Sequence, residues 1–146
     1  MSISFESTPL AEWHKLVGEG QQKSGLLLTE SVENYIVLTL NAYISYIDLS
    51  SKLIAIDFLN NIHITSHQNI QTLRAVGDQC LILAGLFPDR AKRKRVSADY
   101  FSNLGMNAYY VLSYTKISKQ LSHTLFYQLF ENFSDLTQVL KSMRGD

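Results

Sequence analysis

The chain has 146 residues, of which 46% are hydrophobic and 18% are charged. This length is typical of one domain with a sizeable core, and the composition is unlike that of disordered chains. Cys80 is the only cysteine, so an internal disulfide framework is excluded. We therefore expect a single domain over residues 1–146 that needs neither disulfides nor a metal ion in order to fold.

Charge is unevenly distributed, although the formal net charge is zero. Residues 1–73 carry three lysines against seven acids, whereas residues 74–146 carry ten basic residues against six acids. The most apolar stretch, residues 35–47, is shorter than the roughly 20 residues that a membrane-spanning helix needs. Residues 1–6 lack the basic and apolar regions of a signal peptide. These features predict a cytoplasmic protein without a membrane span.

The N-terminal half contains three segments with helical periodicity. Pro9, a residue favoured at the first helical position, predicts the start of a helix that should end or restart between residues 18 and 25. Thr29 or Ser31 can cap a second helix, whose apolar residues recur at three- and four-residue steps. A third helix is predicted over about residues 48–62, with apolar residues on more than one face.

The C-terminal half continues the helical pattern. Ser66 can cap a fourth helix, which Pro88 should end because proline disfavours helical backbone at the residue before it. Ser97 can cap the next helix, and residues 116–143 predict further helix, with Ser134 as the cap of the last part. No segment shows the sustained alternation of a half-buried strand. We therefore predict an all-α fold, a single compact bundle of six or seven helices.

One short segment is strongly basic. Its five cations are Arg90, Lys92, Arg93, Lys94 and Arg95. Such a cluster can neutralise the phosphates of a nucleic acid or meet an anionic membrane surface. A specific nucleic-acid reader should also show a recognition helix, a stacking platform or a zinc pattern, and none is recognisable. The preferred interpretation is a solvated connection near the C-terminal end of a helix, where the dipole favours cations. A nucleic-acid or anion site is the alternative.

Four polar residues form a second candidate site: Arg74, Asp78, Asp99 and Asn103. Arg74 and Asp78 are four residues apart on a predicted helix, so they can face each other. Gly77 and Gly85 each cost about 1 kcal/mol in a helix relative to alanine, which indicates close approach of another helix or of a ligand. We expect the four polar residues to lie close together. A hydrogen-bonded lock between helices is preferred over a ligand pocket.

Other reactive side chains give no catalytic or metal pattern. His63 and His67 have the spacing of two ligands on one helix, but Thr65 and Ser66 break the helix between them. Cys80 lies among apolar residues with no base nearby, which favours a buried packing role. No glycine-rich phosphate loop or hydrolase signature is present. We predict no metal, no cofactor and no catalytic residue, and we favour a function other than catalysis.

The tyrosines fall into two groups, Tyr35, Tyr43 and Tyr46 in one, and Tyr109, Tyr110 and Tyr114 in the other. They suit a dimer interface, a ligand pocket or the edge of a core. Three functions remain, in order of preference. The first is a protein-interaction module, including a homodimer, that uses an aromatic helix face. The second is a nucleic-acid or anion binder. The third is a small-ligand binder or enzyme around Arg74, Asp78 and Asp99.

About a quarter of the chain carries a recognisable pattern. It comprises Leu73-Arg74-Ala75-Val76-Gly77-Asp78, then Gly85-Leu86-Phe87, Asp99-Tyr100-Phe101, and Gly105 with Ala108-Tyr109. This resembles an uncharacterised family of small bacterial all-helical proteins with the pattern L-R-x-x-G-D, G-F-F, D-Y-Y and G-x-x-A-Y. Leu86 and Phe101 depart from that pattern, and the connection between the motifs is more basic. The resemblance implies a bacterial cytosolic protein and carries no activity.

The solvated-connection interpretation of the basic segment predicts no binding to DNA or RNA at low salt. Binding can be measured by fluorescence anisotropy against salt concentration. Binding that weakens with salt, and that drops when Arg93, Lys94 and Arg95 are all changed to alanine, would contradict this interpretation. It would make the basic segment a functional site.

Overall fold

The computed structural model describes residues 8–44, 67–89, 98–115 and 123–143. These residues form six helices and no strand, which confirms the all-α prediction. The helices are α1 (Pro9–Ser24), α2 (Glu30–Tyr43), α3 (His67–Leu86), α4 (Ala98–Tyr114), α5 (His123–Glu131) and α6 (Phe133–Met143).

Helix α3 is the centre of the bundle. It packs against α2, α4 and α6, while α1 packs against α2 and α6 and α5 packs against α4. Nine of the ten residues from Val76 to Gly85 are buried, so the C-terminal half of α3 is surrounded on all sides rather than along one stripe. Although α3 is the longest helix described, none of the helices in the described residues is long and apolar enough to cross a membrane.

The ends of α1 and α2 follow the predicted signals. Thr8 caps α1 by accepting a hydrogen bond from the backbone N–H of Ala11 at 3.1 Å, with proline at the first helical position. Gly25 ends α1 in the left-handed conformation with φ of 74°, where a residue without a Cβ atom is favoured. Thr29, rather than Ser31, caps α2. The helix end predicted between residues 18 and 25 is therefore confirmed at Gly25.

Gln21 fixes the angle between α1 and α2. Its side-chain N–H donates to the Glu33 carboxylate at 2.7 Å, and its side-chain oxygen accepts from the backbone N–H of Leu28 at 2.8 Å. A buried amide thus satisfies a backbone donor of the connecting loop and a carboxylate of the next helix. Such satisfied buried polar groups favour one arrangement of the two helices over others.

The C-terminal segment differs from its prediction in one detail. Helix α5 ends at Glu131 and α6 begins at Phe133, so Ser134 lies inside the first turn and is not its cap. The Phe133 ring is fully buried against Gly105. A Cβ atom added to Gly105 would lie only 2.7 Å from this ring. With this ring buried, α6 starts two residues earlier than it would with Ser134 as its cap.

Several sequence predictions fall outside the described residues. These are the helix over about residues 48–62, the caps Ser66 and Ser97, and the residues 116–122 that precede α5. Helix α3 is described from His67 and ends before Pro88, as the proline predicts.

Gly18 and Gly20 lie two residues apart in α1, so alanine substitutions at these positions form a matched test of helix packing. A Cβ atom on Gly18 would meet no atom within 4 Å, whereas one on Gly20 would lie 2.5 Å from the Val139 carbonyl oxygen of α6. We expect Gly18→Ala to raise the free energy of unfolding by about 1 kcal/mol through helix propensity.

We expect Gly20→Ala to lower the free energy of unfolding by about 1–3 kcal/mol, because α1 and α6 must move apart. Urea denaturation followed by circular dichroism measures both values. Equal effects of the two substitutions would show that α1 does not pack against α6 in this way.

Candidate functional site

Three helices meet at the carboxylate of Asp78. Asp78 lies on α3 and is only 3% exposed. Its Oδ1 atom accepts hydrogen bonds from the hydroxyl groups of Tyr35 on α2 and Tyr109 on α4, each at 2.7 Å. We call Tyr35, Arg74, Asp78 and Tyr109 the Tyr–Asp cluster. Its hydrogen bonds connect residues that are 43 and 31 positions apart in the sequence.

Arg74 extends the cluster by one helical turn. Its Nε–H donates to the Tyr35 hydroxyl oxygen at 3.0 Å, so that hydroxyl accepts from Arg74 while it donates to Asp78. The guanidinium carbon also lies 5.3 Å from the centroid of the Tyr35 ring, within cation–π distance. The position and orientation of Arg74 are therefore fixed by a tyrosine that is itself fixed by the buried carboxylate.

Gly77 makes room for Tyr109. A Cβ atom at Gly77 would lie 2.6 Å from the Tyr109 ring, so only glycine permits this approach of α3 and α4. The Tyr109 ring is fully buried and stacks on Phe126 of α5, with centroids 6.1 Å apart. The predicted close approach at Gly77 is confirmed, and its partner is a tyrosine that reaches Asp78.

Burial determines the protonation of the cluster. It raises the pKa of Asp78 from 3.8 to about 6, although the hydrogen bonds from Tyr109 and Tyr35 and the charge of Arg74 act in the opposite direction. Burial and the Asp78 charge both raise the pKa values of Tyr35 and Tyr109 above their ordinary range. At neutral pH the tyrosines are therefore donors and Asp78 is an ionised acceptor.

A cavity of about 660 Å³ lies between α2 and α3, beside the cluster. Its lining includes Leu38 and Tyr43 of α2 and Ile70 of α3. Arg74 and Asp78 also line it. The wall of the cavity is therefore mixed: about half of its lining residues are apolar, and the polar half includes one cation and one carboxylate.

The structure brings together two of the four residues of the predicted polar site. Arg74 and Asp78 belong to the Tyr–Asp cluster, whereas Asp99 and Asn103 are exposed near the start of α4. The residue of α4 that bonds Asp78 is Tyr109. Asp99 lies ten residues before Tyr109, a separation of roughly 15 Å along the helix axis. The site thus contains Arg74 and Asp78 with two tyrosines, and not Asp99 and Asn103.

Tyr35 and Tyr109 were not predicted as partners of Asp78. Both tyrosines belong to sequence groups that suit a core edge, and a buried tyrosine hydroxyl usually needs a polar partner. That need is the signal that could have linked them to the buried acid. The sequence does not indicate which acid, because the contacts join three separate helices.

The other predicted residues have simpler positions. Cys80 is buried, and burial raises the pKa of its thiol to about 12, which confirms a packing role and leaves no reactive thiolate. The described segments contain no group of three or more residues able to hold a metal ion. The basic residues Arg90, Lys92, Arg93, Lys94 and Arg95 lie outside the described residues, as does His63.

A second arrangement of side chains lies at the surface of α4 and α5. We call its four rings, Tyr110, Tyr114, Tyr127 and Phe130, the aromatic face. The centroid of Tyr110 is 5.3 Å from that of Tyr114 and 4.9 Å from that of Phe130, and Tyr127 lies 5.8 Å from Phe130. The three tyrosines are 44–62% exposed. They are three of the six large apolar side chains that are exposed in the described residues.

No protein-family model, curated protein or solved structure matches this chain. The resemblance to a bacterial helical family therefore rests on its sequence pattern.

The raised pKa of Asp78 predicts a pH dependence of stability. Below about pH 4 the carboxyl group is protonated in both the folded and the unfolded chain. Above about pH 4 the unfolded chain ionises this carboxyl group, whereas the folded chain keeps it protonated up to about pH 6, so stability falls as the pH rises across this interval. The free energy of unfolding of the wild type, relative to Asp78→Asn, should fall by about 3 kcal/mol between about pH 3 and about pH 7.

Urea denaturation of both proteins at several pH values measures this difference. Asn103→Ala is the control, because Asn103 is exposed and its side chain does not titrate, so its substitution should give a difference that does not change with pH. A flat difference for Asp78→Asn as well would contradict the burial of an ionisable group at this position.

Proposed function

We propose that this protein is a non-catalytic interaction module that associates with a second copy of itself through the aromatic face. The observation that carries the proposal is the chain of four contacting rings at the surface, three of them exposed tyrosines. Soluble monomers seldom expose large contiguous apolar patches, and tyrosine is enriched where proteins bind each other.

The rings are held in position before any partner arrives. Phe130 is half-buried and contacts both Tyr110 and Tyr127, so the exposed rings rest on a fixed one. A preorganised aromatic surface loses little side-chain entropy on association. These features support a binding surface rather than isolated exposed residues.

The charge distribution favours a second copy as the partner. Residues 103–114 of α4 and 124–130 of α5 contain no charged residue. A strongly charged partner would find no complementary charge on this face, whereas two identical faces meet without like-charge repulsion. Self-association of one face about a two-fold axis is also the commonest form of oligomer.

The alternative function, nucleic-acid binding, depends on the basic segment at residues 90–95. That segment lies outside the described residues, so no structural contact supports this alternative. The sequence resemblance supports a bacterial cytoplasmic protein. Neither nucleic-acid binding nor a bacterial origin bears on the proposal that the aromatic face binds a second copy.

Light scattering after size-exclusion chromatography tests the proposal. We expect the wild type to elute with twice the mass of the 16.6 kDa chain at micromolar concentration. The double variant Tyr110→Glu with Tyr127→Glu should be a monomer, since each charge at a central tyrosine should weaken association at least about tenfold.

Leu27→Glu is the matched control. Leu27 is 92% exposed in the connection between α1 and α2, so it receives the same charge outside the aromatic face. Its variant should remain a dimer, and circular dichroism should show all variants folded. A monomeric wild type, or equal dissociation by Leu27→Glu, would overturn the proposal.

A further inference from the structure

We propose that the cavity between α2 and α3 binds a small monocarboxylate with an apolar body, and that Arg74 holds its carboxylate group. Arg74 lies on α3, whereas the aromatic face lies on α4 and α5, so this proposal does not rest on self-association.

The cavity has the size of a small-molecule site, and about half of its lining residues are apolar. Its volume of about 660 Å³ lies within the range of roughly 300–1,000 Å³ that such sites occupy. Leu38, Ala42, Ile70 and Ala75 supply apolar side chains along its wall. An apolar ligand body can therefore leave water on entering, which is the main source of affinity in sites of this kind.

Arg74 is prepared to bind a carboxylate in one orientation. Its Nε–H is bonded to the Tyr35 hydroxyl, and the Tyr35 ring lies beneath the guanidinium group. The remaining guanidinium hydrogens belong to the two Nη atoms at the end of the side chain. Two parallel N–H groups match the two oxygens of a carboxylate. The cluster thus fixes the side chain in the form that end-on, bidentate recognition requires.

Charge favours a monoanion over a dianion. The described part of the lining has one cation, Arg74, and one carboxylate, Asp78. A phosphate group carries nearly two negative charges and would place excess negative charge beside Asp78. A monocarboxylate brings one charge, and its apolar body needs no further cation. The lining residues Thr39 and Gln71 offer polar groups that can orient a ligand.

Nuclear magnetic resonance titration of the full chain tests this proposal with benzoate and hexanoate as probes. We expect amide shift changes to be concentrated in residues 38–43 and 70–78. Benzamide, a neutral molecule of the same shape as benzoate, should bind at least about tenfold more weakly, since it cannot form the charged pair.

Four variants separate a binding role from a structural one. Arg74→Gln should weaken benzoate binding at least about tenfold. Asp78→Asn should tighten it several-fold, because it removes a negative charge but keeps an oxygen that can accept from the tyrosines. Ala42→Phe should prevent binding by filling the cavity from its exposed rim. Lys15→Gln, which removes a cation from α1, should have no effect.

Three results would overturn the proposal. These are no binding of either probe at millimolar concentration, equal effects of Arg74→Gln and Lys15→Gln, and tighter binding of phenylphosphonate than of benzoate. Circular dichroism of each variant distinguishes loss of binding from loss of fold. Asp78→Asn should increase the affinity for benzoate, and misfolding cannot produce such an increase.

Discussion

The arrangement of the bundle depends on the buried carboxylate of Asp78. An ionised carboxylate in a protein interior is unfavourable unless hydrogen bonds and charges compensate for the lost water. Here two tyrosine hydroxyls and a nearby guanidinium offset part of that cost, and they come from α2, α3 and α4. Moving any one of these helices would leave a charge or a hydroxyl without its partner. The cluster thus specifies one arrangement among the many that an apolar core alone would permit.

The same contacts link the core to both surfaces that we propose as binding sites. Tyr109 and Tyr110 are consecutive on α4, and successive residues of a helix point about 100° apart. Tyr109 therefore reaches Asp78 in the core, while Tyr110 contacts Phe130 in the aromatic face. In the other direction, Tyr35 connects Asp78 to Arg74 at the cavity wall. One buried acid fixes the geometry of residues on two different surfaces.

Close packing at glycines makes this geometry possible. The Tyr109 ring occupies the space that a side chain at Gly77 would need, and Phe133 does the same at Gly105. Because bulky rings contact bare backbone, α3, α4 and α6 approach closely enough for a hydroxyl to reach the carboxylate. Glycine lowers the stability of an isolated helix, so its presence here reflects packing between helices rather than helix formation.

The sequence by itself determined the local features of this protein. Pro9 indicated the start of α1, the glycines placed its end between residues 18 and 25, and Thr29 or Ser31 was expected to cap α2, all through backbone preferences that act within a few residues. The four-residue spacing of Arg74 and Asp78 placed both on one face of one helix, because that spacing is a property of every α-helix. These signals require no knowledge of the remaining chain.

Only the tertiary structure decided which residues complete the site. Periodicity indicates which face of α4 is buried, but it does not indicate how far α4 slides along α3. That register is set by the fit of Tyr109 over Gly77, which brings Tyr109 rather than Asp99 to the buried acid. Tyr35 likewise reaches Asp78 from a helix far away in the sequence. Contacts between distant helices depend on the summed packing of many side chains, so no short sequence pattern encodes them.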